Sequence, residues 1–380
     1  MKKLLFIVLA LALAIAMPVA AKAAGLDPQA KSFVLMDAGS GTILEEKDAD
    51  KQLPCASVVK TMSMLLLFDA VENGRLSLDD TVTISDRAAS MGGTQVFLDV
   101  HTSHTVKNLM KAMALCSAND ATVALAEKMA GSEDAFVEMM NKKAQVMGLG
   151  AHFVNSTGLD ADGQTMSARD IAVISRELVK YDMLMEWSSI WMENYVHPDG
   201  RETEMTNANR LVKYYDGGDG LCTGSSNSAG YCIAATAKRS SGRFIYVALG
   251  APSSDTRFED ARAALDYAFA GYSATTVVRE GQQLCQNYPV VGGTKSSVDI
   301  VAGSGFSALL EKGSESRIEK ELVLLEEVQA PVEEGQKLGY LRIMLDGEEI
   351  GRVDAVAAEA VPASNFANSL HGILIWWLFG

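Results

Sequence analysis

The chain is poor in the residues that metal, disulfide and nucleic-acid chemistry require. Its 380 residues include only five cysteines and five histidines. Cys55, Cys116, Cys222, Cys232 and Cys285 are too sparse for a disulfide scaffold and match no zinc spacing. Their odd number leaves at least one thiol free or paired between molecules. The histidines form no ligand cluster, so neither a metal nor any other cofactor is implied. Positive charge is also scarce: 33 Lys and Arg stand against 48 Asp and Glu, a net charge of −15. Binding a phosphate backbone needs clustered Lys and Arg, so no nucleic-acid partner is expected. Long apolar runs are missing too, and the two longest, one at each end, fall short of a membrane-spanning helix of about 20 residues.

What is present points to an exported, well-cored protein. With 48% hydrophobic and 21% charged residues, the chain can build a substantial core, and its length suits two or three domains. Lys2 and Lys3 precede an unbroken apolar run from Leu4 to Met17, followed by Pro18 and the small-residue pattern Ala21-Lys22-Ala23. This is the layout of a secretory signal, residues 1–23, with cleavage after Ala23. At the other end Ile373-Leu374-Ile375-Trp376-Trp377-Leu378-Phe379 suits an amphipathic helix lying in the headgroup region. Peripheral membrane attachment through residues 362–380 is therefore expected.

Between these ends the periodicity changes once. Ser32–Asp37 and Thr42–Leu44 read as a hairpin. An apolar helix follows from Ser57 to the Asn73-Gly74 cap. Further helices are expected over Val106–Leu115, Asn119–Met129, Ser132–Met147 and from Ser167 past Val179. Strand signals return at Tyr231–Thr236 and Phe244–Leu249, before a helix from about Asp255 to Phe269. The pattern predicts an α+β domain over residues 24–272. Residues 273–361 then show short apolar segments broken by glycine turns, including a hairpin signal at Asp346-Gly347. This stretch carries no cluster of catalytic side-chain types and reads as a small all-β domain.

Three stretches carry the chemistry. In Pro54-Cys55-Ala56-Ser57-Val58-Val59-Lys60-Thr61-Met62 a hydroxyl and an amine stand three residues apart at a helix entrance, so Ser57 and Lys60 can share a face. Serine needs a neighbouring base to become a nucleophile. A lysine becomes that base when burial or a nearby cation lowers its pKa. By itself the pattern also describes a capped helix start with a solvated lysine. Ser117 and Asn119 lie on a short loop between two helices, where such residues also serve as caps. Asp219-Gly220-Leu221-Cys222-Thr223-Gly224-Ser225 precedes the strand pair, where Gly224 permits close backbone approach and Thr223 can bond a carboxylate.

In this order and at these spacings the three motifs resemble those of the serine-type D-alanyl-D-alanine carboxypeptidases, the low-molecular-mass penicillin-binding proteins. The resemblance extends over Met36-Asp37-Ala38, His152–Asp160, Ser167-Ala168-Arg169-Asp170, Thr206–Leu211 and Asp219–Cys232, and takes in the β domain and the tail. It implies a β-lactamase/transpeptidase-like catalytic domain, an antiparallel sheet with helices. It also implies peptidoglycan stem peptides and β-lactam antibiotics as partners. By this resemblance Ser57 would be the nucleophile, Lys60 its base and Ser117 a proton relay. Asn119 would hold the substrate amide, and the N–H groups of Ser57 and Ser225 would form an oxyanion hole. Thr223 and an arginine, Arg257 or Arg210, would hold the terminal carboxylate. His152 would be a structural residue beside the Asn155–Asp160 turn.

One position departs from the family's pattern. Its third motif is Lys-Thr-Gly, where this chain has Cys222-Thr223-Gly224. The missing lysine would attract the carboxylate and help keep Lys60 neutral. Two outcomes are open: a carboxypeptidase with a weakened carboxylate site, or a catalytically impaired penicillin- or muropeptide-binding protein. Cys222 could also be a redox- or metal-sensitive gate, while Cys55 and Cys116 read as small buried hydrophobes. A class A β-lactamase shares the Ser-x-x-Lys logic, but no Glu-x-x-Leu-Asn stretch lies between the second and third motifs.

Overall fold

The computed structural model describes residues 26–364, so the expected signal and the tryptophan-rich tail lie outside the described residues. The first domain is built on a five-stranded antiparallel sheet. Its strands are β1 (Ser32–Asp37), β2 (Ile43–Lys47), β3 (Gly218–Ser226), β4 (Gly230–Arg239) and β5 (Gly242–Ala251), in the order β2-β1-β5-β4-β3. The ends of the chain segment thus meet in the middle, because β1 pairs with β5. Side chains alternate across a strand, and here both faces are covered. Ile245, Val247 and Leu249 enter one core, while Phe244, Tyr246 and Ala248 enter the other.

The first core is helical. α1 (Lys60–Glu72) runs through its centre with ten of its residues buried, from Lys60 to Phe68 and Ala70. A helix apolar on all sides is a central helix rather than a surface one. Around it pack α2 (Val106–Cys116), α3 (Asn119–Ala130), α4 (Glu133–Val146) and α5 (Ala168–Leu178). Thr105 caps α2, Ser132 caps α4, and Ser167 with Asp170 closes a capping box on α5. Leu67, with no exposed surface, is worth about 1.5–3 kcal/mol in burial. The opposite face of the sheet is covered by α6 (Ser254–Gly271) through Phe258, Ala261, Leu265 and Ala268.

From Tyr272 the chain is strand and turn. β6 (Tyr272–Val278) pairs with β9 (Phe306–Glu311). β7 (Gln283–Pro289), β8 (Ser297–Ala302), β10 (Ile318–Leu324), β11 (Lys337–Leu345) and β12 (Glu348–Ala357) form a sheet ordered β7-β8-β12-β11-β10. Asp346 and Gly347 both take positive φ, 53° and 83°, as a two-residue β11–β12 hairpin demands.

The structure differs from the sequence reading in places that matter for the site. The Asp219–Ser225 stretch is not a lead-in to a strand pair but β3 itself, at the sheet's edge. Glycine and serine interrupt the apolar alternation of this stretch, so the pattern conceals the strand. A short hairpin, Met192–Val196 with Glu202–Thr206, was also not evident from the sequence.

Candidate active site

Ser57 lies in a 3-10 turn, Ala56–Val59, that leads directly into α1. Lys60 is the first residue of α1 and is 1% exposed. Its Nζ lies 3.2 Å from Ser57 Oγ and donates to the Thr157 carbonyl at 2.7 Å. Burial pushes the Lys60 ammonium down from 10.5 to about 7, against a smaller upward pull that includes the Asp120 carboxylate. No neighbouring cation is needed for that shift. Desolvation alone makes the amine a base near neutrality.

The Thr157 carbonyl is aimed by a turn far along the chain. Asn155 Oδ1 accepts from the N–H groups of Thr157 and Gly158, at 3.2 and 2.7 Å. Gln164 locks Asn155 in turn, accepting from the N–H groups of residues 154 and 155 and donating to Asn155 Oδ1. Ser63 on α1 donates to the Ser156 carbonyl at 2.7 Å, fastening the turn to the helix. Gly158 has φ +84°, and a Cβ there would come within 2.0 Å of the Ala56 carbonyl oxygen. The sequence alone assigns this stretch no role beyond a turn. The Asn-x-x-Gly spacing of an Asx-type turn was the available signal. His152 sits beside the turn, its Nδ1 2.9 Å from the Gly163 carbonyl.

Ser117 and Asn119 form the elbow between α2 and α3. Ser117 ends α2 in the left-handed region at φ 62°, a strained conformation for a non-glycine residue. Its Oγ is buried with no hydrogen-bond partner, as is Asn119 Oδ1. Asn119 Nδ2 is held by the Gly92 carbonyl at 2.7 Å, so the free end of the amide is its acceptor. Asp120, fully buried, takes the N–H groups of Val96, Leu98 and Ala121 and pins the neighbouring loop to the start of α3.

β3 supplies the third wall. A Cβ on Gly224 would stand 2.6 Å from Ser57 N and 3.0 Å from Ala56 Cβ, so only glycine lets this strand lie against the Ser57 turn. The strand is paired on one side only, through Cys222 with Ala234, Thr223 with Ile233 and Gly224 with Cys232. Ser225 is exposed and Thr223 is largely buried. Cys222 is also buried, and desolvation pushes its thiol up to about 12, so it is neutral. The same holds for Cys116, while all five thiols are unpaired. Among the described residues no group of three His, Cys, Asp or Glu side chains could hold a metal.

Arg257, on α6, stands behind the strand. Its Nη1 donates to the Gly224 and Cys232 carbonyls, both at 3.1 Å, and its Nε is buried without a partner. Burial lowers its pKa to about 10. Arg210 is engaged elsewhere, paired with Asp255 at 2.9 Å and stacked over Phe258. The structure therefore brings Ser57 and Lys60 into contact and sets Gly224 against their turn, with Arg257 gripping that strand from the far side.

The chain is similar to known families, relatives and solved structures. Residues 18–253 match the family model described as D-alanyl-D-alanine carboxypeptidase, and residues 272–363 match the C-terminal domain of penicillin-binding protein 5. D-alanyl-D-alanine carboxypeptidase DacF of Bacillus subtilis is 34% identical over 92% of this chain and 90% of that relative. The structure of penicillin binding protein 5 from Haemophilus influenzae is 30% identical with a TM-score of 0.76, covering 89% of this chain and 99% of that one. Penicillin-binding protein D2 from Listeria monocytogenes, in an ampicillin-bound form, is 28% identical with a TM-score of 0.57, covering 65% and 99%.

Proposed function

Since the chain belongs to the D-alanyl-D-alanine carboxypeptidase family, we propose that it removes the terminal D-alanine of peptidoglycan stem peptides through an acyl-enzyme on Ser57. The observation that carries this is the buried amine of Lys60 at 3.2 Å from Ser57 Oγ. Neutral Lys60 takes the serine proton as Oγ attacks the carbonyl between the two D-alanines. The oxyanion is held by the N–H groups of Ser57 and Ser225, each donor being worth about 3–4 kcal/mol. Ser117 passes the proton to the leaving amine, and Asn119 Oδ1 accepts the substrate amide N–H. Thr223 holds the terminal carboxylate, and the charge of Arg257 acts on it through the strand it grips. Water then hydrolyses the ester. β-Lactams would acylate the same serine.

Cys222 is the reason to consider a binding protein with little turnover, because a neutral thiol offers no charge to the carboxylate. The depression of Lys60 by burial alone favours the working enzyme. On this reading residues 24–272 are the catalytic domain and residues 273–361 position it above the membrane. Residues 1–23 direct export, and residues 362–380 attach the protein to the outer face of the membrane. Among the described residues no helix is long and apolar enough to cross a membrane.

The test is D-alanine release from diacetyl-Lys-D-Ala-D-Ala by wild type and Ser57→Ala, with labelled penicillin in parallel. Ser57-dependent release is expected. Penicillin labelling without release would establish the binding protein instead, and neither would overturn the site.

A further inference from the structure

A cavity of about 440 Å³ adjoins the Ser57 turn. Its walls are Cys55 and Ala56, the loop from Gly158 to Thr165, and Ser228 in the turn after β3. None of the lining residues is basic, and two, Asp160 and Asp162, are acidic. Asp160 is fixed rather than loose. Ser226 and Ser228 donate to its Oδ1 at 2.7 and 2.6 Å, leaving Oδ2 with no side-chain donor. The hydroxyls of Ser228 and Ser226 hold its carboxyl below the usual range, so it is charged at neutral pH.

The direction of β3 relates this cavity to the substrate. An extended peptide laid along a free strand edge advances about 3.3 Å per residue. With the terminal carboxylate at Thr223 and the scissile carbonyl at Ser225, the residue before the two D-alanines falls beyond Ser225, beside Ser226 and Ser228. There the two serines hold the Asp160 carboxylate, and Asp160 lines the cavity. Resting on the carboxypeptidase reading, we infer that Asp160 selects stem peptides whose residue preceding D-Ala-D-Ala carries a free side-chain amine, which the cavity receives as an ammonium ion. Asp160 acts in recognition and takes no part in bond breaking.

The experiment compares X-Lys-D-Ala-D-Ala peptides with the lysine ε-amine free or acetylated, using the full chain. Wild type should favour the free amine in kcat/KM by about three- to fivefold, the scale of an exposed charge pair. That preference should fade as salt rises, because exposed charges are screened. In Asp160→Asn, which keeps the acceptor for both serines, the ratio should approach one, and Asp160→Glu should retain it. A ratio unchanged by Asp160→Asn, or a wild-type ratio of one at low salt, would overturn the inference. Calorimetric binding of both peptides to Ser57→Ala reads the same ratio without turnover. If wild type released no D-alanine from either peptide, the carboxypeptidase reading would fall, while the two affinities would still decide the role of Asp160.

Discussion

Replacing Cys222 by lysine tests the site's weakest point, and the structure separates its effect into two parts. The first acts on Lys60, whose pKa is held at about 7 by burial. A like charge at contact distance contributes about 4 kcal/mol at an effective dielectric constant of about 20. That would be roughly three pKa units as an upper bound. Because the new ammonium would lie further off, the acid limb of kcat/KM should move from about 7 to near 5. Near pH 7 this gains about twofold, since half of Lys60 is already neutral there. The second part is the charge offered to the substrate carboxylate. A desolvated charge pair is worth about 2–5 kcal/mol, or roughly 30- to 5,000-fold in kcat/KM. Near pH 9 Lys60 is neutral in both proteins, so the gain measured there is the carboxylate effect alone. D-alanine release from diacetyl-Lys-D-Ala-D-Ala, followed across pH beside a thermal melt, resolves both. A folded variant whose acid limb stays near 7 and whose rate near pH 9 is unchanged would refute the account of position 222.

Gly224→Ala places a methyl 2.6 Å from Ser57 N, which must displace an oxyanion donor. Its kcat should fall about 100- to 1,000-fold, and a variant keeping most of its turnover would contradict the assignment. Lys60→Met should abolish D-alanine release yet raise stability. Between about 7 and 10.5 the unfolded chain binds a proton at Lys60 that the native protein does not. Wild-type stability therefore rises with pH across that window, by about 5 kcal/mol in all. The advantage of Lys60→Met in chemical denaturation should be greatest at pH 7 and below and shrink towards 10.5. The cysteine thiols titrate in both proteins and cancel in the difference. Cys55, Cys116, Cys222 and Cys232 are buried and Cys285 is partly exposed. A thiol reagent should thus count one fast-reacting group in the native protein and five in denaturant, and a second fast native thiol would count against the packing described.

The elements were legible where the signal is local. Phe244–Leu249 reads as a strand because its residues are apolar on both faces, and Asp346-Gly347 reads as a hairpin because both positions need positive φ. Ser132, Ser167 and Gly148 marked helix ends through hydrogen bonds made within a few residues. The helix from Ser167 ends at Leu178, short of the expected continuation past Val179. Helix ends depend on packing as well as propensity. β3 was missed because its glycines and serines interrupt alternation, the same residues that let it approach Ser57.

By itself the sequence determined that Ser57 and Lys60 share one face, that Ser117 and Asn119 sit at a helix junction, and that a thiol stands where the family has lysine. These follow from spacing along a regular backbone. Only the tertiary structure decided that Lys60 is desolvated, because burial depends on everything packed around it, including a Thr157 carbonyl 97 residues away. It alone committed Arg257 to the carbonyls of Gly224 on β3 and Cys232 on β4, and put Asp160 beside Ser226 and Ser228. Periodicity records which way a side chain turns from its own helix or strand; what it meets there is set by segments that only folding brings together.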